Sequence, residues 1–173
     1  MWIFTPFSET DSHMAISHSL SLATSLSADQ VALAVSEIAV GIGLLRAPVE
    51  PEWFLDDGVS TDSGTWIRVL DPTVQPWDPL ITDLGIRPTV RVAFRLDKRT
   101  DLTRQADEII RMVSELLAKI PGDAVLQYLF ETIWLMRRRN DLSLNEDDDL
   151  WPAERLALLT QSYRRATYKF SDE

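Results

Sequence analysis

His13 and His18 are the only histidines in the chain, and there is no cysteine. A general base needs a positioned partner to take or give its proton. His18 falls on the apolar side of an alternating run, with Ile16, Leu20 and Leu22 against Ser17, Ser19 and Ser21. The expectation there is a buried, hydrogen-bonded ring and not a base. His13 lies in a stretch with no periodicity. Without cysteine there are no disulfides, zinc–thiolate sites or thiol nucleophiles. No serine, histidine and acid stand in a recognisable triad context. None of the six glycines forms a GxGxxG or P-loop cradle for phosphate. Only a glycosidase, which needs just two carboxylates, is left open by composition. No catalytic residue, metal ligand or cofactor is assigned.

The acids are the remaining chemistry. Glu146-Asp147-Asp148-Asp149 tempts a calcium reading that starts at Asp141 with Ser143 and Asn145 as ligands. The pattern then fails, with Glu146 in place of the turn glycine and Pro152 in place of the bidentate glutamate. The run reads as a solvated turn between strand and helix, or as a contact for a cationic partner, because crowded like charges repel. Residues 46–85 carry eight acids against Arg46 and Arg68, and include Trp53, Trp66 and Trp77. A long irregular segment is functional or disordered, and its tryptophans argue against disorder. Trp53 and Trp77 are either loop packing or aromatic anchors flanked by acids. The candidate partner-binding residues are therefore Trp53, Asp56, Asp57, Asp62, Trp77, Glu146, Asp147, Asp148 and Asp149. Arg137-Arg138-Arg139 reads as internal ion pairing and not nucleic-acid contact, since acids follow it directly.

The elements that position these residues are legible in part. Ile16 to Leu22 is a strand. Ser27 with Gln30 makes a capping box for a helix carrying Val31, Val35, Ile38 and Ile42, ended by Gly41 and Gly43. In 46–85 only Thr65 to Leu70 resembles a strand, among Pro48, Pro51, Pro72, Pro76 and Pro79. Val90, Val92, Phe94 and Leu96 alternate with Arg91 and Arg95 as a strand requires. Asp101 caps a helix with the apolar stripe Leu102, Ala106, Ile109, Val113, Leu116 and Ile120, with Asp107–Arg111 and Glu115–Lys119 as i,i+4 pairs. Pro121-Gly122 stops it. Strands over 124–130, 132–138 and 142–144 follow with short polar breaks, then a last helix from Pro152 to Ser162. The pattern predicts one α+β domain over 14–173, with a mainly antiparallel sheet of five to six strands and two to three helices packed on it. Residues 1–13 read as a poorly ordered extension, with Met14 as a natural start.

A chain of 173 residues with 45% apolar and 25% charged residues has the composition of an ordinary globular protein. A net charge of −10 argues against nucleic acid as partner and favours a basic protein or simple solubility. The most apolar run, Val31 to Leu45, is broken by Ser36 and Glu37 and falls short of the roughly 20 residues that span a bilayer. No secretory signal precedes it, so the expected location is cytoplasmic and no membrane partner is expected.

From Arg87 onward the chain resembles immunity proteins of the swarm-inhibition-toxin (Sit) type, known from bacterial contact-dependent polymorphic toxin systems. The residues that carry the resemblance are Val90-x-Val-x-Phe94-Arg95-Leu96-Asp97-Lys98 and Gly122-Asp123-Ala124-Val125-Leu126. Glu131, Leu135, Arg137, Leu142-x-Leu144, Trp151 and the opening Met14-Ala15-Ile16 add to it. Segment 46–85 has no counterpart. The resemblance implies a non-catalytic cytoplasmic protein that binds and neutralises a cognate toxin domain. An acidic surface suits a basic effector domain such as a nuclease. Three other classes compete: an adaptor or regulatory binding module, an enzyme with an unfamiliar carboxylate site, and an assembly subunit. A gene adjacent to a multidomain toxin separates the first of these from an immunity protein. Two carboxylates about 5–10 Å apart in a deep pocket would mark the enzyme.

Overall fold

A computed structural model describes residues 16–171. The expected extension over 1–13 lies outside them. Within them, the strands are β1 Ile16–Ala23, β2 Val59–Ser60, β3 Trp66–Leu70, β4 Val90–Leu96, β5 Asp123–Tyr128, β6 Thr132–Arg138, β7 Asp141–Leu144 and β8 Arg164–Arg165. They form one sheet in the order β2-β3-β4-β1-β5-β6-β7-β8. All neighbours are antiparallel except β7 and β8. The helices are α1 Ala28–Gly41, α2 Pro51–Leu55, α3 Pro79–Thr82, α4 Leu102–Lys119 and α5 Ala153–Leu156. The α+β class stands, but the sheet has eight strands instead of five to six, and five helices replace two to three. The additions are short, and tertiary contacts hold them: two-residue strands at both edges and helices of four or five residues.

α1 and α4 cover one face of the sheet. Ser27 caps α1 through the Gln30 amide, and Gln30 returns the bond to the Ser27 amide, closing the capping box. Val31, Val35 and Ile38 are buried with Ile109, Val113 and Leu116 of α4 against Leu20, Val92, Phe94 and Leu126 of the central strands. Buried area of this kind is the main stabilising term. Leu102, expected in the stripe, is exposed at the first turn of α4, while Ile110, Met112 and Leu117 widen the buried face. The ion pairs also differ. Asp107 bonds Arg155 of α5, Lys119 lies 3.8 Å from Glu37 of α1, and the i,i+4 pair that forms is Arg104–Glu108. Long side chains at a helix–helix seam reach partners on other elements.

The second face is covered only in part, by Leu80 and Leu84 of the α3 region packed with Ile86 on Val125, Ile133 and Met136, and by Tyr168 and Phe170 near the C-terminus. Segment 46–85 therefore wraps the β2–β3 edge. Phe54 of α2 is fully buried in the helical-side core, β3 joins the sheet, and Leu80 lies under the opposite face. The expected helix to Ser162 ends at Leu156 instead. Thr160 and Gln161 bond Ser114 of α4, with the Thr160 amide 3.2 Å from Ser114 Oγ and Gln161 Nε2 2.7 Å from its carbonyl, and the chain then enters the sheet as β8.

Within the basic run Arg137 is an internal device, not a member of the expected ion-pair cluster, and Arg139 is exposed. Arg137 donates Nε to the Gly122 carbonyl at 2.8 Å and Nη1 to the Leu117 carbonyl at 2.6 Å, and Nη2 reaches that of Ile120. A guanidinium thus satisfies the carbonyls that end α4, where the helix dipole favours a cation. Burial lowers its pKa from the usual arginine value, with Asp123 opposing. Gly122 adopts φ +111°, and a Cβ there would meet the Ala23 carbonyl oxygen at 2.0 Å.

Candidate functional site

The acids of segment 46–62 are presented by a short rigid path. Pro51 starts α2, and Phe54 anchors it, which turns the preceding Trp53 outward to 57% exposure. Asp56 caps the C-terminal end of α2, and Asp57 follows, both exposed. The Trp66 indole donates to the Asp57 carbonyl at 2.9 Å. Gly58, at φ +84°, lies so close to that ring that a Cβ would approach Trp66 Nε1 at 2.5 Å. Trp53, Asp56 and Asp57 therefore form one exposed patch on a fixed backbone. Asp62, beyond β2, pairs with the exposed Arg46 at 3.5 Å, a surface contact of little energetic weight.

The other candidates are elsewhere. Trp77 is 71% exposed and precedes α3, whose Leu80 packs on the opposite face of the sheet from α2. Glu146 through Asp149 follow β7, five strand spacings from β3 in the sheet order. At about 4.8 Å per strand this separates the two acidic clusters by roughly 24 Å. Part of the second cluster orders its own turn. The Glu146 carboxylate accepts the Thr167 amide at 3.0 Å, and the Asp147 carboxylate accepts the Asp149 amide at 2.9 Å. Asp148 lies 3.5 Å from Arg165.

The helical layer supplies further acids, of which the sequence reading took Asp107 for a surface pair with Arg111 and Asp101 for a helix cap. An open groove of about 530 Å³ beside the first turns of α4 is lined by Asp101, Asp107, Glu108 and Glu154, with Arg104 and Arg111. On one side Ser63, next to Asp62, donates to Glu108. On the other, Arg155 donates to Asp107 at 2.8 Å and to the Leu150 carbonyl at 2.7 Å. The fully buried Gln105 ties the same region together, accepting the Asp97 amide at 2.8 Å and the Thr65 hydroxyl at 3.0 Å. The only available sequence signal was a polar residue within an apolar stripe.

Chemically, the groove holds ion pairs. Asp107 and Glu108 each face an arginine, which suits a fixed electrostatic surface better than proton transfer. Among the described residues no three His, Asp or Glu side chains converge as a metal site. None of the described helices is long and apolar enough to cross a membrane. His18 is buried as expected, but its ring is not hydrogen-bonded. Both nitrogens lack a partner among the described residues, and the ring packs against Trp134 at 4.7 Å and Tyr128 at 5.1 Å. Burial, with Arg155 adding to it, pushes its pKa down to about 4, so the ring is neutral near pH 7.

The model of a protein family described as SitI3-like matches residues 16–155. No significant match was found among curated proteins or among solved structures.

Proposed function

We propose that this chain, which belongs to the SitI3-like family, is an immunity protein that binds a cognate toxin domain and blocks it. Family membership points to an immunity-type, non-catalytic protein. It is the observation that carries the reading, because it spans strands β1 to β7 and both long helices. The finer statement concerns the surface. The patch of Trp53, Asp56 and Asp57, with Asp62 and the carboxylates along α4, is the toxin-facing side. Its support is an exposed aromatic beside fixed acids on a chain of net charge −10. A basic effector domain, a nuclease for example, would be drawn to such a surface and held by the desolvated indole. Glu146 through Asp149 extend this surface at its far end, and Trp77 marks a separate contact on the other face.

The deciding experiment is co-expression in the bacterial cytoplasm with the C-terminal domain of the protein encoded by the neighbouring gene, which an immunity protein requires to be a toxin. Growth should be restored by the wild-type chain and diminished for Trp53→Ala. If growth stays arrested while the two proteins fail to co-purify, the immunity assignment is wrong and the chain is a binding module for another partner.

A further inference from the structure

The sheet face opposite α1 and α4 carries the reverse charge. Arg91 and Arg95 lie on the same side of β4 with Ala93 between them, and Arg68 of β3 stands opposite Ala93. On the neighbouring strand Arg91 faces Ser21, Ala93 faces Ser19 and Arg95 faces Ser17. Three guanidinium groups therefore surround a floor of small residues. No carboxylate among the described residues is within ion-pair distance of any of them. Aromatic rings hold two in place, with Arg95 4.9 Å from the Trp66 ring centroid and Arg91 5.5 Å from that of Phe130.

Three further observations show that this face is built to receive something. Arg68 Nε, Ser19 Oγ and Gln127 Oε1 are buried without a hydrogen-bond partner among the described residues. Such groups are costly unless a ligand completes them. Gln127, only 2% exposed, and Arg91 line one cavity of about 150 Å³ with Ser21, Phe130 and Phe170. The acid on its wall, Asp78, is engaged by the Leu80 amide at 2.9 Å. Finally, Leu129 and Phe130 form the β5–β6 turn with φ of 53° and 61°, yet are 42% and 57% exposed. Bulky residues are strained in the left-handed region, and these regain little of that in the core.

We infer that this face binds an acidic polypeptide segment running along β4, with one carboxylate on Arg91 and another on Arg95 and Arg68. Arg91 and Arg95 are four residues apart, about 13 Å along a strand. In an extended peptide, acids four residues apart match that spacing, as every second acid does where acids alternate. The net charge of −10 repels any anion, but it disfavours a nucleic acid, charged at every residue, more than a short segment with few carboxylates. The inference does not depend on the toxin-facing surface.

The test is fluorescence anisotropy of a short labelled peptide alternating glutamate and serine, titrated with the full chain at low salt. Saturable binding is expected, weakened about tenfold or more by Arg91→Ala and by Arg95→Gln. Lys98→Gln, an equal charge loss outside the cluster, should leave it unchanged. Arg95 is exposed, so its variant keeps the test readable if the Arg91 variant melts early. Absence of binding, or binding by both arginine variants as tight as that of the wild type, overturns the inference. So does an oligothymidylate that binds as tightly as the peptide. A dimer dissociated by Arg91→Ala would name a second copy as the occupant. Tighter peptide binding by the chain carrying Glu9→Gln and Asp11→Asn would name the chain's own first residues. Either result overturns the assignment to a separate acidic segment.

Discussion

His18 shows how one buried ring converts packing into pH dependence. Its folded pKa lies at about 4 against 6.5 for the free side chain. Above pH 6.5 the ring is neutral in folded and unfolded chains alike and contributes no slope. Between 6.5 and about 4 only the unfolded chain takes up the proton, so stability falls as pH falls; below 4 both states carry it and the loss levels off. The loss accumulated across that window is on the order of 3 kcal/mol. His18→Phe should remove this slope, measured as the difference between wild-type and variant urea midpoints at pH 7 and pH 4.5. It should cost little at pH 7, because it replaces two unpartnered nitrogens with apolar atoms. A pH dependence identical in the two proteins would mean that His18 is not held neutral. Alternation in the sequence was enough to place His18 on the buried side of β1. Its missing partners were not legible, because the β5–β6 register shift that brings Trp134 onto the ring depends on another strand.

At the level of elements, what could be read was what carries its own periodicity. α1, α4 and the central strands have repeating apolar positions, and the structure keeps each within about two residues of its expected limits. α2, β2, α3 and β8 are too short for a period, and exist because Phe54, Trp66, Leu80 and the Ser114 bonds fix them. Two predictions belong here. Leu116, fully buried on α4 with Ile109 and Val113, should cost about 2–5 kcal/mol when cut to alanine, read from denaturant titration. A loss below that range would mean that the helix packs loosely on the sheet. Gly122→Ala combines a positive φ with a backbone clash at the Ala23 carbonyl, and it disturbs the turn whose carbonyl Arg137 caps. Strain of this kind costs about 1–3 kcal/mol, so the melting temperature should fall by several degrees. Unchanged melting would show that the α4–β5 turn relaxes freely.

At the scale of the molecule, the acids of segment 46–62 lie along the β2–β3 edge, and Asp107 and Glu108 of the α4 groove are paired with arginines. Three arginines without an acidic partner among the described residues occupy the opposite face of the sheet. The acidic excess of segment 46–85 was legible from composition, but not that the chain wraps an edge and places Trp53 and Trp77 on opposite sides, since that depends on the strand order. The consequence for binding can be measured on the acidic side. Exposed carboxylates act at range, so Asp56→Asn with Asp57→Asn should slow association with the toxin domain at low salt while leaving dissociation nearly unchanged. The difference should vanish toward 1 M salt, where the screening length shrinks to about 3 Å. Trp53→Ala should instead speed dissociation, at a cost of about 2 kcal/mol or more. Because Trp53 is 57% exposed and its neighbour Phe54 carries the packing, the melting temperature should hardly move. If Trp53→Ala lowers melting and binding together, the indole is a packing residue. If on-rate and salt dependence are the same for wild type and the double asparagine variant, the toxin does not approach from this side, and the acidic patch serves solubility alone.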